Sequence, residues 1–261
     1  KIVTTTQVGA YKCVTCVAGT VSQAGDSSCV ECSTGKHQSE SGKGNCVSCL
    51  PGKWNNNTKS VSIDDCIDCP AGTFSPSDAA PSDVSCNACP PGTASGVVGS
   101  SQRSDCKDCL EGTASSAGAT NCSNCAAGTY NEDQGSAGCL PCVPGKFQKL
   151  EAQSECDECG VGQFSNDTKL TLCFQCPIGK EALYKGAAAC SACAAGRYGS
   201  NCSACDFGQF RAGDDEDSSI CDNCPKGWHQ DVQGQGSCLP CVPGTFSSEK
   251  GLKTCESCDE G

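Results

Sequence analysis

All thirty cysteines in this chain belong to CxxC pairs. The 15 pairs run from Cys13/Cys16 to Cys255/Cys258, and the second cysteine of each is followed three residues later by glycine, from Gly19 through Gly92 to Gly261. Fixed columns at a recurring interval mark a tandem repeat in which every unit solves the same packing problem. Two residues after the glycine an aromatic usually stands: Trp54, Phe74, Tyr130, Phe147, Phe164, Tyr198, Phe210 and Phe246, with His37 and His229 in the same column. A glycine so close to a cysteine supplies a positive φ or room for a close chain crossing, and a ring beside it can cover a bridge. The expected core of each repeat is one disulfide and one ring.

First cysteines of successive pairs lie 12 to 20 residues apart, most often 17. That interval holds two short strands and a turn but not a helix with its connections. The expected fold is small and disulfide-rich, an elongated tandem array of short β or irregular units with almost no helix. Residues 1–12 read as a lead-in or degenerate unit and 13–258 as about 14 disulfide-closed repeats of about 17 residues, with 258–261 starting a further unit. Segments 75–85, 96–104 and 114–120, rich in Gly, Ser, Ala, Pro and Asp, are the expected loop tips.

Composition sets the compartment and excludes several partners. Cysteine at this density in a chain with 5% aromatics belongs in an oxidising compartment, so the chain is expected outside the cell, secreted or on a surface. A net charge of -12 lacks the clustered lysine and arginine that nucleic acid or an anionic membrane requires. No run approaches the roughly 18 to 20 apolar residues that span a bilayer, so no direct membrane insertion is expected in this segment. With no Met and a polar opening at 1–10, the sequence reads as a mature chain or an excised segment.

Two tilings of the bridges repeat from unit to unit. In one, the second cysteine of each pair bonds the first of the next; in the other, neighbouring pairs interlock first to first and second to second. An odd number of pairs strands a whole pair in the second tiling and only Cys13 and Cys258 in the first. A bridge inside one CxxC would be a strained, reducible ring.

The unit CxxCxxG[TKQR][FYWH] resembles the cysteine-rich repeats of ephrin-receptor and growth-factor-receptor type and the one-disulfide module of tumour necrosis factor receptor ectodomains. It is also similar to the CxxC arrays of protist surface antigens and matrix proteins. The resemblance covers Cys13 to Gly261 and implies consecutive pairing: Cys16 with Cys29, Cys32 with Cys46, Cys49 with Cys66, Cys69 with Cys86, Cys89 with Cys106, Cys109 with Cys122 and Cys125 with Cys139. It continues with Cys142 to Cys156, Cys159 to Cys173, Cys176 to Cys190, Cys193 to Cys202, Cys205 to Cys221, Cys224 to Cys238 and Cys241 to Cys255. Cys13 and Cys258 are then left for flanking units or for an inter-chain bond that would join chains head to tail. Receptor arrays of this kind alternate two module types, whereas one unit recurs here, which favours a structural role.

Chemistry-bearing motifs are few. Four acceptor sequons begin at Asn56, Asn121, Asn166 and Asn201, and N-linked glycans are expected on them. CxxC followed by CxxC is also zinc-ribbon spacing, but two histidines, an odd number of pairs and an acidic chain speak against metal, and no cofactor is assigned. The run Asp214-Asp215-Glu216-Asp217 lacks any EF-hand frame and reads as a solvated loop. His37 and His229 read as ring substitutes, and nothing resembling a catalytic constellation converges on them. The expected function is therefore structural and non-enzymatic: a subunit or segment of an extracellular filament, coat or appendage, self-associating or bound to other extracellular proteins. A ligand-binding cell-surface receptor ectodomain is the alternative, and a zinc-binding CxxC protein the third reading.

Overall fold

The computed structural model describes residues 2–7, 10–213 and 218–259, with side chains from residue 14 onward. Among these residues there is no α-helix, and no helix long and apolar enough to cross a membrane. Regular structure consists of two-stranded antiparallel sheets. The first, Ile2–Gln7 with Ala10–Val14, has a register shift between Thr5 and Gln7. The others have two residues per strand, and one plan generates them: Lys36–His37 pairs with Val47–Ser48, and Gln163–Phe164 with Phe174–Gln175. The first strand follows the column glycine; the second is the dipeptide inside the next CxxC.

That placement explains the bridges. An extended segment turns alternate side chains to opposite faces, so two cysteines separated by an extended dipeptide point away from each other. One reaches back and the other forward. Fourteen disulfides accordingly join the second cysteine of one pair to the first of the next, from Cys16–Cys29 to Cys241–Cys255.

Before each hairpin the chain makes a tight turn. The Lys53 amide donates to the Leu50 carbonyl at 3.1 Å, around Pro51 and Gly52. Gly52 has φ +83°, and proline followed by a positive-φ residue is the arrangement of a type II turn. Loop lengths vary by a defined device. The common bridge separation is 14, but Cys49–Cys66, Cys69–Cys86 and Cys89–Cys106 have 17, and each of these loops ends in a single 3-10 turn: Ile63–Asp65, Asp83–Ser85 and Arg103–Asp105. Three extra residues are one such turn. Asp65 accepts from the Val61 and Ser62 amides, and Asp105 from those of Ser101 and Gln102, which fixes the turn's entry.

The chain falls into two compact units, Lys1–Cys125 with Asn131–Cys139 and Ala152–Ser154, and Ala126–Tyr130 with Leu140–Glu151 and Glu155–Gly261. Each applies the same repeat-to-repeat bonding. In the first, the Gly35 amide donates to Asn55 O at 2.7 Å in the next repeat, which returns a bond from Lys59 N to Cys32 O at 2.8 Å. In the second, Gly145 donates to Ser165 O at 2.8 Å, and Lys169 N to Cys142 O at 3.0 Å. Apolar side chains supply little of this; backbone bonds and staples carry it.

Candidate functional site

The positions that recur in every repeat are the nearest thing to a site in this chain. Most second cysteines are buried anchors, with Cys32, Cys69, Cys125 and Cys205 0% exposed, whereas most first cysteines, such as Cys29 and Cys139, are half-buried. The rings do less than expected of a core, since Phe74, Phe147 and Phe164 are half-buried and Phe246 is 42% exposed. The expected pairing of one disulfide with one ring is corrected by the next residue along. Three residues after the column glycine lies a buried polar column, including Gln38, Asn55, Asn131, Gln148, Ser165 and Gln230.

Those side chains bind the loop that follows them. Gln148 Nε2 donates to Glu155 O at 2.9 Å while its Oε1 accepts the Leu150 amide at 3.0 Å, and Gln230 repeats both contacts with Ser237 and Val232. Asn131 Nδ2 reaches the previous repeat at Thr113 O, 2.7 Å away. A buried amide with its donor and acceptor both engaged costs little to bury and fixes one loop conformation. The letters carried a signal, since Ser, Asn or Gln follows the ring column with regularity.

A second left-handed column also stands outside the sequence reading. Seven residues after the column glycine the backbone has positive φ, at Gly42, Gly99, Gly135 and Gly186, but also at Lys59 (58°), Ala79 (54°), Ala152 (57°) and Lys169 (61°). Its carbonyl crosses the column glycine two repeats earlier. A Cβ on Gly92 would fall inside 3.0 Å of Gly135 O, and one on Gly35 inside 3.0 Å of Ala79 O. The invariant glycine therefore serves both the turn and the crossing.

The shortest loop interrupts this packing. Cys193–Cys202 has a separation of 9, and Cys202 itself takes φ +48°. Gly162, two repeats earlier, has nothing within 4 Å of its Cβ position. In the following repeat the polar column holds Arg211, 1% exposed, whose side chain extends back to the short loop. In the strands Thr93–Ala94 and Thr113–Ala114, which lack the ring, Ala94 and Ala114 are both buried.

Both histidines lie against the bridge of the next repeat. His37 Nδ1 is 3.7 Å from Cys66 Sγ, and His229 Nδ1 is 3.2 Å from Cys255 Sγ. With Cys49 and Cys241 they form the two His/Cys groups close enough to share an ion among the described residues, yet all four sulfurs are in disulfides. A disulfide sulfur carries no thiolate, so the zinc reading finds no CxxC pair of ligands among the described residues. Cys258 is an exposed free thiol, and the side chain of Cys13 lies outside the described residues, as does the run Asp214–Asp217.

Asn56, Asn121, Asn166 and Asn201 are all exposed. Asn56 and Asn166 open their loops four residues after the column glycine; Asn121 and Asn201 immediately precede bridge cysteines. After the second cysteines, Val17, Leu50, Leu110, Val143, Ile178 and Val242 recur as exposed apolar turn residues. Asp206 is held below its usual 3.8 by a hydrogen bond from Gln233, assisted by the Phe207 amide.

The profile of the repeat described as tyrosine-protein kinase ephrin type A/B receptor-like matches residues 19–66, 64–106 and 112–152. No curated protein matches the chain. Residues beyond 152 continue the same staple, glycine turn and hairpin.

Proposed function

Residues 19–106 and 112–152 carry ephrin-receptor-like cysteine-rich repeats, and we propose that the chain is an extracellular, structural repeat array that acts as a subunit or segment of a filament, coat or appendage. The observation that carries this reading is the reuse of one backbone solution, staple plus glycine crossing, in both compact units. Disulfides at every repeat suit an oxidising compartment and resist proteolysis. N-linked glycans on Asn56, Asn121, Asn166 and Asn201 belong to the same proposal, as does the absence of an enzymatic role. Each glycan should appear as a one-dalton gain at its asparagine after enzymatic deglycosylation of chain secreted from eukaryotic cells.

The exposed apolar turns at Leu50, Leu110, Val143 and Ile178 favour a second reading, a receptor ectodomain that engages a protein ligand. Sedimentation velocity across a hundredfold concentration range separates the two. A filament or coat segment associates into larger species as concentration rises; a chain that stays monomeric throughout refutes the structural assembly and leaves the receptor reading standing.

A further inference from the structure

One missing loop tip accounts for three irregularities around the short Cys193–Cys202 closure. In a regular repeat the left-handed tip, usually seven residues after the column glycine, makes two contacts. Its amide bonds the second cysteine of the previous repeat, and its carbonyl crosses the glycine two repeats back: Gly186 N donates to Cys159 O at 2.8 Å, and Gly186 O lies over Gly145. The repeat of Gly196 has no such tip. The sixth residue after this glycine is Cys202 itself, held in the bridge, and the seventh is Ser203, already in the strand Ser203–Ala204. Gly162 is accordingly half-buried where Gly145 and Gly179 are buried, and no amide among the described residues donates to Cys176 O. Cys176 is also half-buried, whereas Cys159 and Cys193 on either side are 0% and 2% exposed.

Access decides which of many chemically equal bridges reacts, because an attacking thiolate must approach a disulfide sulfur from the side opposite its partner. In the other bridges that have repeats on both sides, the second cysteine is buried; at Cys176–Cys190 both cysteines are half-buried. Cys241–Cys255, the last bridge in the sequence, shares that exposure. We propose that Cys176 is a thiol-exchange site, modified by a small-molecule thiol. The thiolate attacks Cys176 Sγ, the bond to Cys190 breaks, and Cys190 leaves as a thiolate that takes a proton from water. The product is a mixed disulfide on Cys176 and a free thiol at Cys190, and no outside oxidant is required because the incoming sulfur is oxidised as that of Cys190 is reduced. A loop too short to cover its neighbour thus turns one structural staple into a modifiable one.

Reduced glutathione is the probe, applied to the intact oxidised chain under native conditions, followed by acid quenching, N-ethylmaleimide labelling and peptide mass mapping. Glutathione should appear on Cys176 and maleimide on Cys190 at least about tenfold faster than either appears on Cys159 and Cys173. Replacing residues 197–201 by residues 146–155, together with R211Q, lengthens the short loop to the common separation of 14 and supplies a tip. In that chain the excess rate at Cys176–Cys190 should vanish while Cys241–Cys255 exchanges as before; an excess that persists overturns the proposal. So do equal rates at Cys176–Cys190 and Cys159–Cys173 in the native chain, or glutathione carried by Cys190. Rapid exchange at every bridge of the lengthened chain would mean that it has not folded, and the native comparison then decides by itself.

Discussion

Gly145 and Gly162 hold the same place in successive turns, with φ of +90° and +77°, yet differ in what faces them. A Cβ on Gly145 would meet the Gly186 carbonyl inside 3.0 Å; on Gly162 it would meet nothing within 4 Å. Alanine at either position incurs left-handed strain of about 1–2 kcal/mol. G145A should cost at least about 2 kcal/mol more than G162A, the penalty of a core overpacked by a methyl group. Urea unfolding of the two variants checks this, and equal losses would mean that the crossing does not demand glycine. Conversely, A79G, A152G and K169G relieve left-handed side chains, and each should raise stability by about 0.5–1 kcal/mol after the entropic cost of glycine. Asp206 supplies a pH test. Because its folded value is depressed, its contribution is complete above the ordinary 3.8 and is lost as pH falls through the lower folded value. Its carboxyl should titrate below 3.8, and return toward 3.8 in Q233L. The glycine column was legible in the letters because every one of these turns has a positive φ that favours glycine, and most are crossed by a backbone carbonyl that leaves no room for a Cβ. The polar column was not, because Gln148 and Asn131 look like surface loop residues until the loop they bind has folded over them.

A staple and its hairpin form the smallest element that can be removed. Closing the Cys125–Cys139 loop, separation 14, stabilises its repeat by about 3 kcal/mol in the chain-entropy model. The loop provides Asn131 O for the Gly112 amide, Ser136 O for the Ser115 amide, and the Gly135 amide for Cys109 O. In C125A/C139A, hydrogen exchange at Gly112, Ser115 and Gly135 should accelerate by about two orders of magnitude, the equivalent of those 3 kcal/mol, while Gly35 and Gly52 keep their protection. An even loss across all repeats would contradict a fold in which each repeat depends on its near neighbours. The sequence disclosed that short strands alternate with staples, since no 17-residue interval can hold a helix and its connections. It did not disclose where the longer loops put their extra residues. The 3-10 turns at Ile63–Asp65 and Arg103–Asp105 rest on Asp65 and Asp105 folding back onto their own entry amides, a local contact with no periodicity to read.

At the level of the whole molecule, 14 bridges occupy 28 of the 30 cysteines. Alkylation of the unfolded but unreduced chain should therefore modify Cys258 and at most one more residue, Cys13, as read by intact mass. Modification of many cysteines would break the array. A mass ladder at multiples of the chain mass would instead show Cys13 and Cys258 engaged between chains. The family resemblance carried the pairing, and extended CxxC dipeptides supply its physical reason; what letters alone could not reveal is that most of the turns are covered from two repeats away. That offset bears on biosynthesis. A chain entering an oxidising compartment amino end first exposes its cysteines in order, and the newest thiol available to each waiting one belongs to the following CxxC. The bridge forms while the carbonyl that will seal its glycine turn, as Lys59 seals Gly19, is still to be delivered. The growing end thus always carries two unfinished repeats, and timing of delivery joins geometry in selecting neighbours as partners.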